Sequence, residues 1–590
     1  MSGLWAVLAA VWVAGSVRAA AIPLPAGDQA AWDRKVFSED PAISEPEACV
    51  FTMTSTSGKA ALGIGPWRAG QWSARWQLKR PMKAARGTIR GIYRTEGSGV
   101  SPVVSGAFFK DGKKLNREEL SLVSAESWAP FDLVLRHPSP GADSVSPCFG
   151  LSEHTEGRAW FADLEFDDTA RPVEFPVEPP AVTRPAPPAG FPPGGRFRLE
   201  KTGETWWLVT PEGRPFWSVG TDAHGFKRPA EGERMTEAMR RIGFNSLGGW
   251  SNVWRWGPIN DRMSSEEPPP FAAFVALETS GLPESCARLV DPAEKAGPGD
   301  HAFPDPFDPA FEPEYRKMAA DIASACAGKK WLAGWFIDNE RDHDRLDRKV
   351  WSGHAGKVFR SRLEKRYGKI GKLNAAWGSS FSTFDDLAAK KPVSALREGR
   401  MYEDCREFTR EIVNKFVDIA VRAVREADPG ALVFSNRFML GGVEDTLDYL
   451  GQYAPCDGIA VNIYPSNRSP GIDPDQRAIL ERIHRLSGKP VLIGEWSVPA
   501  LDSRLYDNPD GLDFSFPDTV DTQTQRARQA ACVLTDFYNL PFIVGAHWFT
   551  WSDFDSPKRQ ANRGLFTAKG KPWQALIDAL AGVNKRLPGF

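Results

Sequence analysis

Charge of one sign is not in excess in this chain: 73 Lys and Arg stand against 75 Asp and Glu, a formal net charge of -2. No general field draws it to nucleic acid or to an anionic membrane surface, and neither is expected as a partner. Cysteine is sparse and scattered. The seven, Cys49, Cys148, Cys286, Cys326, Cys405, Cys456 and Cys532, show no CxxC spacing, so a structural zinc or a dithiol redox motif is not supported. There is no His, Asp and Cys set at metal-ligand spacing, no GxxxxGK[ST] loop for phosphoryl transfer and no internal repeat. Neither a metal nor another cofactor is expected. Beyond the first twenty or so residues, no apolar segment reaches the roughly 20 residues that a bilayer span needs.

The first segment itself, apolar from Leu4 to Val17 and ending in Arg18-Ala19-Ala20-Ala21, reads as a secretory signal over residues 1–21 with small residues suited to cleavage near Ala19 or Ala21. A single membrane anchor is the alternative, for which the stretch is short; the expectation is a secreted or periplasmic protein. Export would permit a disulfide between Cys49 and Cys148, and buried thiols account equally well for the other cysteines.

Residues 22–170 show short alternating segments, such as Gln71 to Leu78 and Phe131 to Leu135, between Gly, Ser and Pro turns. That pattern predicts an all-β sandwich. Residues 171–195 hold Pro179-Pro180, Pro187-Pro188 and Pro192-Pro193, which predicts a semi-rigid linker. From 196 to 590 strands and helices alternate, the mark of parallel β/α architecture. A hairpin from Trp206 leads into Phe216-Trp-Ser-Val-Gly220 as first strand. Seven more candidates follow, starting at Phe244, Phe271, Trp331, Ala431, Gly458, Val491 and Phe542. Helical spacing of Tyr315, Met318, Ala319 and Ile322, and of Phe408, Ile412, Phe416 and Ile419, places helices between them. Eight strands predict a (β/α)8 TIM barrel in an α/β class chain.

In such a barrel the polar residues at the strand ends line the active site. Two apolar runs end abruptly in carboxylates: Trp331 to Glu340 through Asp338-Asn339, and Pro490 to Glu495. Paired carboxylates suit glycosidic bond cleavage, one protonating the leaving oxygen and the other attacking the sugar. Helix capping by Asp338-Asn339 is the plainer reading of the first run. The other ends carry Asp222 and His224, Asn245 and Trp250, Asn436 and Arg437, Asn462 and Tyr464, then His547, Trp548 and Trp551, so that all but the third strand end in such residues. Each alone suits a cap or a satisfied buried group; together they form the candidate substrate site. Trp, at 22 residues, exceeds what a core needs and suits stacking on sugar rings as well as core filling.

The Asn-Glu after the fourth strand and the Glu after the seventh resemble clan A glycoside hydrolases, which are retaining enzymes on a β/α barrel. Gly334-Trp-Phe-Ile-Asp-Asn-Glu340 looks like the acid/base motif of the family 50 agarases and the family 42 β-galactosidases, and Leu363 to Gly378 is similar to a helix-turn signature of both. Trp206 to Gly220 resembles the agarase lead-in hairpin, and Gly494-Glu-Trp-Ser-Val-Pro-Ala-Leu-Asp502 its nucleophile segment. Trp496 and Ser497 hold the places of an aromatic residue and a His in typical agarases.

The resemblance implies Glu340 as general acid and base and Glu495 as nucleophile. It implies Asn339 on the sugar 2-hydroxyl, with Tyr464 donating to Glu495, Arg437 holding its anionic form, and Trp548 and Trp551 as stacking floor. The sandwich would be of the carbohydrate-binding kind. The implied protein is a secreted retaining β-agarase acting on β-1,4 galactosidic bonds of a neutral galactan. The alternatives are a β-galactosidase or another clan A β-glycanase and, from another class, a silent carbohydrate-binding protein.

Overall fold

The computed structural model describes residues 22–23, 32–38, 52–54, 60–64, 71–78, 87–96, 102–110, 113–122, 125–135, 144–151 and 158–167 of the N-terminal region. Beyond it the described residues are 175–264, 270–291, 302–341, 343, 345–392, 398–440, 443–465, 469–503, 505, 519–556 and 559–587. The signal segment 1–21 and Cys49 lie outside them. The chain divides into two compact units, Met1–Pro172 and Val173–Phe590.

The first unit is built from two antiparallel sheets, of six and five strands. The side chains of Arg158–Asp167 alternate toward its end between buried and half-buried, as a strand with one covered face requires. Phe131 and Phe161 from the six-stranded sheet meet Phe149 from the five-stranded one, with Phe149 and Phe161 ring centroids 5.4 Å apart. These rings sit in one core cluster with Ile89, Val104, Phe108 and Leu151, so the two sheets share a single apolar interior.

The proline-rich stretch corrects the expectation of a linker. It has no regular structure, yet it is laid along the second unit: Phe175 is buried, and the Arg184 guanidinium, also buried, donates to the carbonyls of Tyr538, Leu540 and Ile543 at 2.9 to 3.1 Å. Thr183 and Ala181 bond the Asn539 side chain. Proline removes backbone donors, so a proline-rich chain can lie on a surface with few N–H groups left to satisfy. Those carbonyls run from the last turn of the helix Gln523–Asn539 to the first residue of the eighth barrel strand, and Arg184 ties the two together.

The second unit is the barrel. Its parallel strands are Ser218–Thr221, Ser246–Leu247, Ala272–Ala276, Leu332–Phe336, Val433–Phe434 with Phe438–Met439, Ile459–Asn462, Val491–Trp496 and Ile543–Trp548. The nine hydrogen-bonded segments run in an order that starts at Val433–Phe434 and ends at Phe438–Met439. These are two halves of one broken fifth strand, and the bridge from Phe434 to Gly458 closes the ring. All eight strands fall where the apolar runs predict.

Helix signals also match: Phe311–Cys326 buries Tyr315 and Ala319 and half-buries Met318 and Ile322, and Gly399–Ala427 buries Phe408, Ile412, Phe416 and Ile419. The helix feeding the seventh strand, Pro474–Ser487, starts on the Asp473 cap with Pro474 in its first turn, and stops at Gly488 in the left-handed region. Phe274, Phe336, Phe434, Ala460, Leu492 and Val544 fill the bore, closed at its lower end by Phe197 and Leu208 of the lead-in hairpin. The polar strand ends are left at the opposite rim.

Candidate active site

Glu495 ends the seventh strand with 3% of its surface exposed, and donors from three other strand ends converge on it. The Trp250 indole N–H donates to Oε1 at 2.6 Å, and the Tyr464 hydroxyl donates to Oε2 at 2.6 Å. The Arg437 guanidinium lies 3.2 Å from Oε1 as an ion pair. Arg437 is fully buried; its planar group is sandwiched against Trp250 at 4.7 Å and Phe336 at 5.3 Å. Burying a charge is costly unless it is paired, so Arg437 and Glu495 depend on each other.

Glu340 follows the fourth strand in the left-handed region, with φ of 50°, a conformation costing about 1–2 kcal/mol for a residue with a Cβ. The turn is secured by its backbone N–H, which donates to the Asn436 carbonyl at 2.8 Å. The Asn462 amide donates to Glu340 Oε1 at 2.6 Å and to Asn339 Oδ1 at 3.2 Å. Asn462 and Glu495 are partners in the sixth-to-seventh strand ladder, so one pair of neighbouring strands carries both the residue that holds Glu340 and the second carboxylate.

Burial first, then the charge of Glu495, push the Glu340 carboxyl up to about 7, against the pull of Asn462, Arg437 and Arg341. Glu495 instead is surrounded by donors. Two carboxyls whose surroundings differ in this way can divide acid and nucleophile roles at neutral pH. Asp222, at the end of the first strand, is a third buried carboxyl, raised to about 8 by burial and by Glu495.

The structure brings most of the predicted residues to this rim, but several in other roles than substrate contact. Asn245 uses its amide on the chain itself, accepting from Val219 N–H and Ser246 Oγ and donating to the Trp217 carbonyl. His547 is fully buried with Nε2 at 2.8 Å from Ser218 Oγ, and burial together with Arg437 holds it down at about 3. Since Ser218 donates to Ser246 and Ser246 to Asn245, Ser218 Oγ is left to accept, and His547 carries its proton on Nε2 as a neutral ring. Asn436 and Asn462 are both fully buried. Among the described residues the Asn436 amide has no hydrogen-bond partner.

Trp548 is a correction to the expected stacking floor. It is 1% exposed, donates its indole N–H to the Arg563 carbonyl and meets Trp496 edge-on at 4.8 Å. A floor needs an open face, and this ring has none. Trp548→Ala is therefore expected to destabilise the fold by about 3–5 kcal/mol. It should lower Tm in calorimetry without weakening long substrates more than short ones. Trp551 is half-buried and stacks on Phe566 at 4.6 Å, while His224 and the Trp250 ring also reach the rim without full burial.

Sequence reasoning missed Arg563, which is buried over the Tyr464 ring at 4.3 Å and donates to Ser497 Oγ at 3.0 Å. The signal available was the polar pair Asn562-Arg563 next to the short apolar Leu565-Phe566, just after the eighth strand. The third strand also contributes through its end: Thr279 N–H donates to Asp338 at 3.1 Å. Buried Asp338 pairs with Arg341 at 3.1 Å, which fixes the turn beneath Glu340.

A β-galactosidase family model, glycoside hydrolase family 42, matches residues 291–507. The chain is 26% identical over 380 residues to β-agarase A of Vibrio sp. strain JT0107, covering 59% of this chain and 35% of that protein. It is 23% identical over 485 residues to β-agarase B of the same strain, covering 66% and 48%. It thus spans about a third to a half of the length of these curated relatives. A solved exo-β-agarase superposes with a TM-score of 0.57 at 14% identity, covering 94% of this chain and 99% of that one, a likeness of fold. The chain is thus similar, at low identity, to agarases and β-galactosidases, both of them glycoside hydrolases.

Proposed function

We propose that this protein hydrolyses β-galactosidic bonds with retention, Glu495 attacking the anomeric carbon and Glu340 serving as acid and then base. The carrying observation is the unequal pair at the fourth and seventh strand ends. Glu340 is raised to about 7, and Glu495 is held by Trp250, Tyr464 and Arg437. In the first half-reaction the Glu340 proton passes to the leaving oxygen as a glycosyl ester forms on Glu495; in the second, ionised Glu340 takes a proton from the water that cleaves the ester. Asn339, His224 and Trp551 are the candidate sugar contacts.

The preferred substrate in this reading is agarose or a related neutral galactan. Support comes from the agarase relatives, the nucleophile segment Gly494 to Asp502 and a net charge of -2 that draws no heavily sulfated chain. The N-terminal sandwich is assigned to carbohydrate binding, and the segment 1–21 to export. The test is product analysis on agarose, porphyran, carrageenan and aryl β-galactosides. Neoagaro-oligosaccharides from agarose are expected. Cleavage of small galactosides alone would favour the β-galactosidase reading, which the match over 291–507 supports. Binding of agarose with no cleavage of any substrate would leave a non-catalytic binding protein.

A further inference from the structure

Asp222 is fully buried, which removes it from direct contact with sugar. Its backbone is fixed by the eighth strand: its N–H donates to the Trp548 carbonyl at 3.0 Å, and its carbonyl accepts from Trp551 N–H at 3.1 Å and Thr550 Oγ1 at 2.9 Å. Its side chain reaches the second strand's loop, where Oδ1 accepts the Trp250 backbone N–H at 2.9 Å. The same Trp250 donates its indole N–H to Glu495 Oε1. The turn between them is pressed close. A Cβ on Gly248 would lie 2.4 Å from Asp222 Oδ1, and one on Gly249 would lie 3.0 Å from the Phe336 ring and 3.1 Å from Arg437 Nη1. The loop passes closely between the Asp222 carboxyl and the Arg437 guanidinium, with no room for a Cβ at Gly248 and little at Gly249.

We propose that Asp222 is a positioning residue for the nucleophile, acting through Trp250: it clamps the Gly248-Gly249-Trp250 turn so that the indole N–H meets Glu495. This rests on Glu495 being the nucleophile. The chemistry of the group fits the task. Burial and the charge of Glu495 keep Asp222 protonated below about pH 8, although Arg437 and the Trp250 N–H pull the other way. As a neutral acid it offers Trp250 an acceptor and does not compete with Glu495 for Arg437. An ionised Asp222 would add a second buried negative charge that repels Glu495.

The clamp works through an acceptor oxygen, so its substitutions should separate in a way that general packing damage would not. Asp222→Ala and Trp250→Phe should each lower kcat about 10²-fold, the scale of a reacting group misplaced by about 1 Å. KM should stay within about threefold. Asp222→Asn keeps an acceptor in the same place and should recover most of the kcat lost in the alanine variant. The double variant Asp222→Ala/Trp250→Phe should be no slower than either single one, because both break one chain of contacts. Should Asp222→Ala fail to fold, Asp222→Asn in the Trp250→Phe background should add no further loss.

Additive losses, or an Asp222→Asn enzyme as slow as the alanine variant, would overturn the proposal. Unchanged kcat in Asp222→Ala, with active wild type alongside, would do the same. Inactivity of the wild type on every galactoside would overturn the hydrolase reading instead.

Discussion

Glu495→Gln is expected to lower kcat by about 10⁴-fold or more, the scale seen when a nucleophile is removed from a working constellation. The amide keeps the shape and an acceptor oxygen, but it cannot form a glycosyl ester. Its second effect is electrostatic. Fully buried Arg437 loses its counterion, and breaking a buried pair from one side costs about 3–5 kcal/mol. Both effects are measurable together, as single-turnover kinetics on an aryl galactoside and a Tm by calorimetry. Full activity would remove Glu495 from the mechanism. A normal Tm would show that the buried guanidinium finds compensation elsewhere.

Glu340→Ala should behave differently. On substrates with poor leaving groups the loss should reach about 10²–10⁴-fold, the range for one acid/base group. On activated aryl glycosides the first step needs little protonation, so the ester accumulates, and added azide should release it as a β-azide. An α-azide, or no rescue, would contradict retention. The wild-type alkaline limb of kcat/KM should lie near pH 7, where the Glu340 carboxyl loses its proton, and it should vanish in the alanine variant on activated substrates.

Stability follows the same titration. The Glu340 carboxyl is raised on folding from 4.5 to about 7, so the folded state binds more protons than the unfolded one between those values. Stability is therefore retained below about pH 4.5 and declines as pH rises toward and through 7, by a few kcal/mol in all. Glu340→Gln should flatten that decline. A decline identical to wild type in urea melts at pH 5 and pH 8 would assign it to Asp222, which has the same sign.

How much of this was visible beforehand depends on whether a feature is local. A strand buried on both faces must be a continuous apolar run, and a run cut off by Asp338-Asn339-Glu340 or by Glu495 announces its own end; neighbours in sequence suffice to locate both carboxylates. The eight strands were found the same way. Where partners come from far along the chain, neighbours in sequence do not say which atoms a polar or aromatic side chain will meet. Nothing near Trp250 says that its indole N–H will meet a carboxylate 245 residues away. The aromatic-rich end of the eighth strand reads the same whether Trp548 faces a sugar or, as here, Trp496 and the Arg563 carbonyl.

The proline-rich stretch shows the same division. Its composition excludes helix and sheet, because proline lacks a donor and fixes φ. Whether such a chain lies free or docked depends on Arg184 finding the carbonyls of Tyr538, Leu540 and Ile543, more than 350 residues on. Periodicity and local chain stiffness therefore determined the barrel, its strand ends and the two candidate carboxylates from sequence alone. Tertiary structure alone decided burial, counterion choice and which polar atoms face substrate, since each is a sum over neighbours that only the closed barrel brings within reach.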